Sequence, residues 1–140
     1  LFRSEEIIKN GQGRLQHTTT HQAHSLSVAA ALAVQKIIHN DDFLDHINKV
    51  GEFMRTTLME ELSDLDLLYD VRGRGLRFAL EYKHKDQNKF GLQLQDIMLN
   101  KHNILIDAKW HRINFTPGLI IKTDEASAVL EKLITEIKNI

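Results

Sequence analysis

The chain has no cysteine, one proline and one tryptophan in 140 residues, and aromatic residues make up only 6% of it. Without cysteine there is no thiolate zinc site, iron–sulfur cluster, cysteine nucleophile or disulfide scaffold. An excess of charge of one sign is also missing. The 18 Lys+Arg stand against 19 Asp+Glu, a net charge of −1 with histidines neutral. That balance argues against a module that binds nucleic acid by neutralising phosphates. No apolar run is long enough to cross a bilayer. The longest, residues 26–34, contains Ser27 and runs into Gln35 and Lys36. The opening LFRSEEIIKNGQG has neither the apolar run nor the cleavage site of a signal peptide. The expectation is a cytoplasmic chain with no nucleic-acid or membrane partner.

What is present is ordinary globular composition, 42% hydrophobic and 26% charged. A chain of this length forms one compact domain or part of one, and buries roughly 70% of its unfolded surface. A short helix is expected over residues 4–9, broken by Asn10, Gly11 and Gly13. Residues 15–25 read as loop. Ser25 then caps a helix over 26–39, rich in alanine and apolar nearly all round, the pattern of a buried helix.

Asn40 caps a third helix over 41–62, where Phe43, Ile47, Val50, Met54, Leu58 and Leu62 form one stripe. Residues 67–72 and 76–82 read as strands, the second with Leu76, Phe78, Leu80 and Tyr82 inward and Arg77 and Glu81 outward. A helix over 90–101 follows, then short strands at 104–107 and 112–115 and a third at 119–122. Thr123 caps the last helix, whose stripe is Ala126, Val129, Leu130, Leu133, Ile134 and Ile137. This order predicts an α+β fold, helices packed on a small, mainly antiparallel sheet.

The densest polar cluster is His17, Thr18, Thr19, Thr20, His21, His24 and Ser25, directly before a helix start. Hydroxyls and free backbone N–H groups there suit a phosphate or carboxylate, although a capped loop has the same composition. The spacing of His17, His21 and His24 would align a zinc site on one helical face. Three threonines disfavour that helix, and no HExxH pattern is present, so loop histidines are the better reading.

In Arg72-Gly73-Arg74-Gly75 the glycines read as a bend or close backbone approach rather than an RNA-binding segment. Gly11-Gln12-Gly13 follows no strand and is no dinucleotide fingerprint. Asp41/Asp42 and Glu60/Glu61 fall at helix ends. Lys109-Trp110-His111-Arg112 is a basic aromatic patch that could touch an anion or simply edge a strand.

Three stretches, in order, resemble class III pyridoxal-phosphate-dependent aminotransferases. LQHTTTHQAHSLSVAAALAVQKI is similar to the family's H-G-H-T-Y-Q-A-H-P followed by an Ala-rich helix. VRGRGLRFALEY resembles R-G-x-G-L-M-x-x-x-E-L, and INFTPGLIIKTDE resembles P-P-L-I-I-T-x-E-E before the final helix. The resemblance implies a C-terminal portion only. Residues 1–40 would be the end of the large domain, with its phosphate loop and buried connecting helix. Residues 41–140 would be the C-terminal small domain of the α/β family fold.

It further implies pyridoxal 5'-phosphate as cofactor, an amine or amino acid donor, a keto acid acceptor, and a homodimer or a missing large domain as partner. The family's Schiff-base lysine lies upstream of the resembling stretches. No lysine here has its context, and Lys9, Lys36 and Lys109 are not candidates, so no catalytic residue is assigned and this piece alone is expected to be inactive. Thr20 matches the threonine that reaches the phosphate of the neighbouring subunit's cofactor, and Thr19 beside it could join. His21 stands where the family has an aromatic residue and Ser25 where it has proline. Asn114 stands where some members carry a carboxylate-binding arginine. Arg112, two places away, is not given that role. The opening Leu1 fits a remainder of a longer chain, and the alternative is a non-catalytic small domain kept for assembly or as a remnant.

Overall fold

The computed structural model describes residues 6, 10, 20 and 22–140, which fall into two compact units, residues 1–39 and 40–140. The expected helix over 4–9 lies outside the described residues apart from Glu6, which is helical.

In the first unit, α1 spans Ser25–Ile38. Its N-cap is His24 rather than Ser25. The His24 ring nitrogen Nδ1 accepts from the Ser27 backbone N–H at 3.4 Å and lies 3.0 Å from the Ser27 hydroxyl. A ring nitrogen thus takes the place of the usual hydroxyl or carboxylate cap. The expected buried helix is exposed, since none of its residues is buried and Leu26 is 73% exposed. Its apolar character all round is a property of its sequence that the described residues do not cover.

The second unit begins with α2, Asp41–Leu62, where Asn40 Oδ1 accepts from Asp42 N at 3.1 Å and two aspartates favour the positive end. Its stripe buries Val50, Met54, Leu58 and Leu62, with Phe43 and Ile47 part-buried. Strands β1, Leu68–Arg74, and β2, Arg77–Tyr82, form a hairpin through a two-residue turn. Gly75 takes φ +53° at its first position, as a primed turn of the II′ kind requires. The backbone of α2 lies against this turn. A Cβ on Gly51 would stand 2.1 Å from the Gly75 carbonyl oxygen, which also accepts from Arg55 Nη1 at 3.1 Å.

Helix α3, Gln87–His102, starts earlier than the apolar pattern indicates because Asp86 Oδ1 accepts from Lys89 N at 3.1 Å. Asn103 ends it in the left-handed conformation, with backbone bonds back to Leu99 and Met98. Strand β3 is Asp107–Lys109 rather than 104–107, and β4 is Arg112–Phe115. No strand forms at 119–122. Ile121 N donates to Gly118 O at 3.0 Å, folding the segment into a turn behind Pro117. Helix α4, Thr123–Asn139, is capped at Lys122 rather than Thr123, with the Glu125 carboxylate accepting the Lys122 N–H at 2.9 Å.

The four strands run in the order β1-β2-β4-β3, every neighbouring pair antiparallel. One face carries Phe78, Leu80, Ile113 and Phe115 into the core with the buried residues of α2, α3 and α4. Phe78 and Phe115, paired across β2 and β4, stack with ring centroids 4.6 Å apart. Each fully buried side chain of this size contributes about 1.5–3 kcal/mol. The α+β expectation holds: helices pack on one small antiparallel sheet.

Candidate functional site

Thr20 is exposed and lies in a turn ahead of the His24 cap. His17, Thr18, Thr19 and His21 fall outside the described residues. The donor chemistry at Thr20 is one neutral hydroxyl beside a helix N-terminus. That fits an added contact to a phosphate oxygen, and it cannot by itself neutralise a phosphate. Among the described residues no group of three or more His, Asp or Glu is placed to hold a metal ion.

The second polar assembly is the outward face of the sheet. Strand alternation turns Arg72, Arg77, Glu81, Arg112, Asn114 and Asp107 away from the helices. They surround a cavity of about 380 Å³. Glu81, expected to point outward, is on the outward side yet buried, at 5% exposure. The reason is Arg72, which reaches from the neighbouring strand to pair with its carboxylate, and His111 Nε2 stands 3.8 Å away.

Asp107 accepts from Asn114 Nδ2 at 2.7 Å and pairs with Lys109 at 3.1 Å. The Asn114 hydrogen bond, followed by that of Lys109, holds the Asp107 carboxyl below its ordinary range. Asn114 is therefore occupied within the sheet. Arg112 has its Nε buried without a hydrogen-bond partner. This face presents cationic and amide donors, which bind and orient anions, and no activated nucleophile.

Every lysine among the described residues is exposed, including Lys36 and the paired Lys109. Tyr82, whose phenol burial pushes up to about 12, donates to Gln87 O at 3.3 Å and is a structural group. Gly73 and Gly75 sit at the hairpin end, in agreement with the close-approach reading. Trp110 is exposed at the β3–β4 turn with φ +52°, and Asp41, Asp42, Glu60 and Glu61 lie exposed at the ends of α2.

One cluster escapes pattern reading. Glu136 is buried at 5% exposure, with Lys101 Nζ and His102 Nε2 each 2.8 Å from its Oε1. The available signal was a glutamate inside the apolar stripe of α4, between Leu133 and Ile137. No helix among the described residues is long and apolar enough to cross a membrane.

Comparison with known proteins gives a consistent result. The class III aminotransferase family model matches residues 2–137. An acetylornithine aminotransferase of Bacillus cereus is 28% identical over 124 residues, covering 89% of this chain and 30% of that relative. An ornithine aminotransferase of Plasmodium falciparum is 26% identical over 134 residues, 94% of this chain and 30% of the relative.

Among solved structures, acetylornithine aminotransferase from Elizabethkingia anophelis superposes with a TM-score of 0.78 at 20% identity, over 91% of this chain and 32% of that one. The omega transaminase from Pseudomonas jessenii in complex with PMP gives 0.77 at 23% identity, over 99% and 32%. This chain spans about 30% of the length of these curated relatives. With three ordered motifs, an antiparallel α+β fold shared with transaminases, and a family match over almost the whole sequence, the chain belongs to the class III aminotransferases.

Proposed function

We propose that this chain supplies the C-terminal portion of an aminotransferase that moves an amino group from an amine or amino acid to a keto acid. Residues 1–40 would close the large domain and residues 41–140 form the small domain, the whole working as a cytoplasmic homodimer. The family match over residues 2–137 carries this reading. Pyridoxal 5'-phosphate, when bound, supplies the electron sink for the reaction.

This chain's own part is to bind and position. Thr20 donates its hydroxyl to the phosphate bound in the neighbouring subunit, with Thr19 as the adjacent donor. The small domain holds its polar sheet face in a fixed conformation. No lysine of the chain has the family's catalytic context, so the chain by itself does not turn over substrate.

The test mixes purified chain with pyridoxal phosphate, an amino donor and a keto acid. No turnover and no covalent cofactor absorbance are expected. Both should emerge when a class III large domain is supplied in trans, and Thr20→Val should then weaken cofactor retention. Turnover by the chain alone, abolished by mutating one of its own lysines, would refute the reading. Failure to complement would favour a non-catalytic small domain.

A further inference from the structure

We infer that the free edge of β1 is a pairing surface for a second copy of this chain, the two β1 strands running antiparallel about a two-fold axis at Arg72. In the order β1-β2-β4-β3, β1 is an edge strand of seven residues without proline. From Tyr69 to Arg74 every residue but Val71 is exposed. The closing pair of its two-residue hairpin, Arg74 and Arg77, exchanges hydrogen bonds. By alternation, Val71 and Gly73 turn their N–H and C=O groups to the open side. Among the described residues no strand pairs there. Such an edge is a template for another strand unless its side chains repel one.

The charges on β1 select the partner. Within the hairpin they stand opposite the wrong groups, Asp70 across from Glu81 and Arg74 across from Arg77. Like charges directly opposite destabilise a strand pair. Arg72 relieves Glu81 by pairing with it. Among the described residues neither Asp70 nor Arg74 has an ion-pair partner. Two strands paired about Arg72 set Asp70 of each copy opposite Arg74 of the other. Val71 of each meets Gly73 of the other, whose missing side chain leaves room, and each such pair exchanges backbone hydrogen bonds. The two Arg72 side chains meet at the axis, but Glu81 of its own chain draws each back over β2. The run Asp70-Val71-Arg72-Gly73-Arg74 is thus complementary to itself reversed. The inference stands apart from the aminotransferase reading, in which the neighbouring subunit is reached through Thr20, and its test needs no cofactor.

The experiment is sedimentation equilibrium of the 140-residue chain at low ionic strength. A dimer with a Kd of about 100 μM or tighter is expected, weakened by added salt. The Val71 and Gly73 amides should exchange more slowly as concentration rises. Asp70→Arg and Arg74→Asp each make both cross-copy pairs repulsive. Each also removes a like-charge pair from the hairpin, so both chains should stay folded, which circular dichroism checks. Alone, each variant should self-associate about tenfold more weakly than the parent, or worse. Mixed one to one, they should form a heterodimer of parental strength, because the mixture restores opposite signs at both positions. A chain still monomeric at about 1 mM would overturn the inference. So would a dimer unaffected by either substitution, or two folded variants whose mixture associates no better than each alone.

Discussion

Replacing Gly51 by alanine pits two effects of opposite sign against each other. Alanine in a helix interior is favoured over glycine by roughly 0.5–1 kcal/mol. Against this, the new Cβ would stand 2.1 Å from the Gly75 carbonyl oxygen and 2.4 Å from its carbon, where ordinary contact begins at 3.4 Å. The shortfall of about 1.3 Å falls on backbone, so no side chain can swing aside and the hairpin must move away from α2.

Overpacking of this kind costs about 1–3 kcal/mol. Moving the turn also stretches the Arg55 Nη1 bond to Gly75 O, and a hydrogen bond from a charged donor contributes about 1.5–3 kcal/mol. Set against the propensity gain, these terms leave a net loss of about 1.5–5.5 kcal/mol. At about 4–8 °C per kcal/mol for a unit of this size, the midpoint should fall by about 6 °C or more. Urea and thermal unfolding followed by circular dichroism measure it. Arg55→Gln removes the hydrogen bond without the clash, together with the Glu52 ion pair and the contact over the Phe78 ring, so its loss sets an upper bound on the hydrogen-bond share. A G51A chain as stable as the parent, or more stable, would show that helix propensity rules this position and that the contact between α2 and the hairpin is not tight.

Glu136 gives a pH prediction. The Lys101 and then the His102 hydrogen bonds hold its carboxyl below the ordinary glutamate range. A lowered folded-state value means stability that is complete above the unfolded value of about 4.3 and is lost as pH falls through the folded one. Acid titration of Glu136→Gln should show a shallower loss of stability below that pH than the parent, and parallel curves would refute the clamp. Trp110 predicts a gain. With φ +52°, its left-handed backbone costs about 1–2 kcal/mol for an L residue, so Trp110→Gly should raise stability by about 1 kcal/mol in urea denaturation. A loss would mean that the exposed indole makes contacts worth more than the strain.

The amphipathic helices were legible because burial follows a period that sequence displays. Val50, Met54, Leu58 and Leu62 stand on one stripe and are all buried. Strand β2 was legible for the same reason, its alternate residues Phe78, Leu80 and Tyr82 entering the core. Where the reading failed, a partner distant in the chain or an atypical residue decided the outcome. Residues 104–106, Ile-Leu-Ile, are an apolar run that reads as strand, but on this side β4 pairs only with Asp107, Ala108 and Lys109 before Pro117 removes a donor. Glu81 was assigned the right face, but its burial was not legible, because Arg72 on another strand pairs with it. The caps were misplaced by one residue at His24 and Lys122, since neither is a preferred capping type. Of the candidate site, the family motifs pointed to Thr20. The cavity around Arg112 depends on cross-strand register, which no local pattern encodes.

Both hairpins of the sheet turn through only two residues, Gly75-Leu76 and Trp110-His111. Such short turns make chain length and side-chain placement a single variable. One residue inserted or deleted in either turn shifts the register by one and exchanges the two faces of a strand. In β4 that exchange would drive Arg112 and Asn114 into the core beside Phe78 and Leu80 and lift Ile113 and Phe115 out of it. These turns should therefore tolerate substitution far better than any change in length. The loop at residues 83–86, which enters a helix rather than a paired strand, is where an indel in this half of the chain can be absorbed.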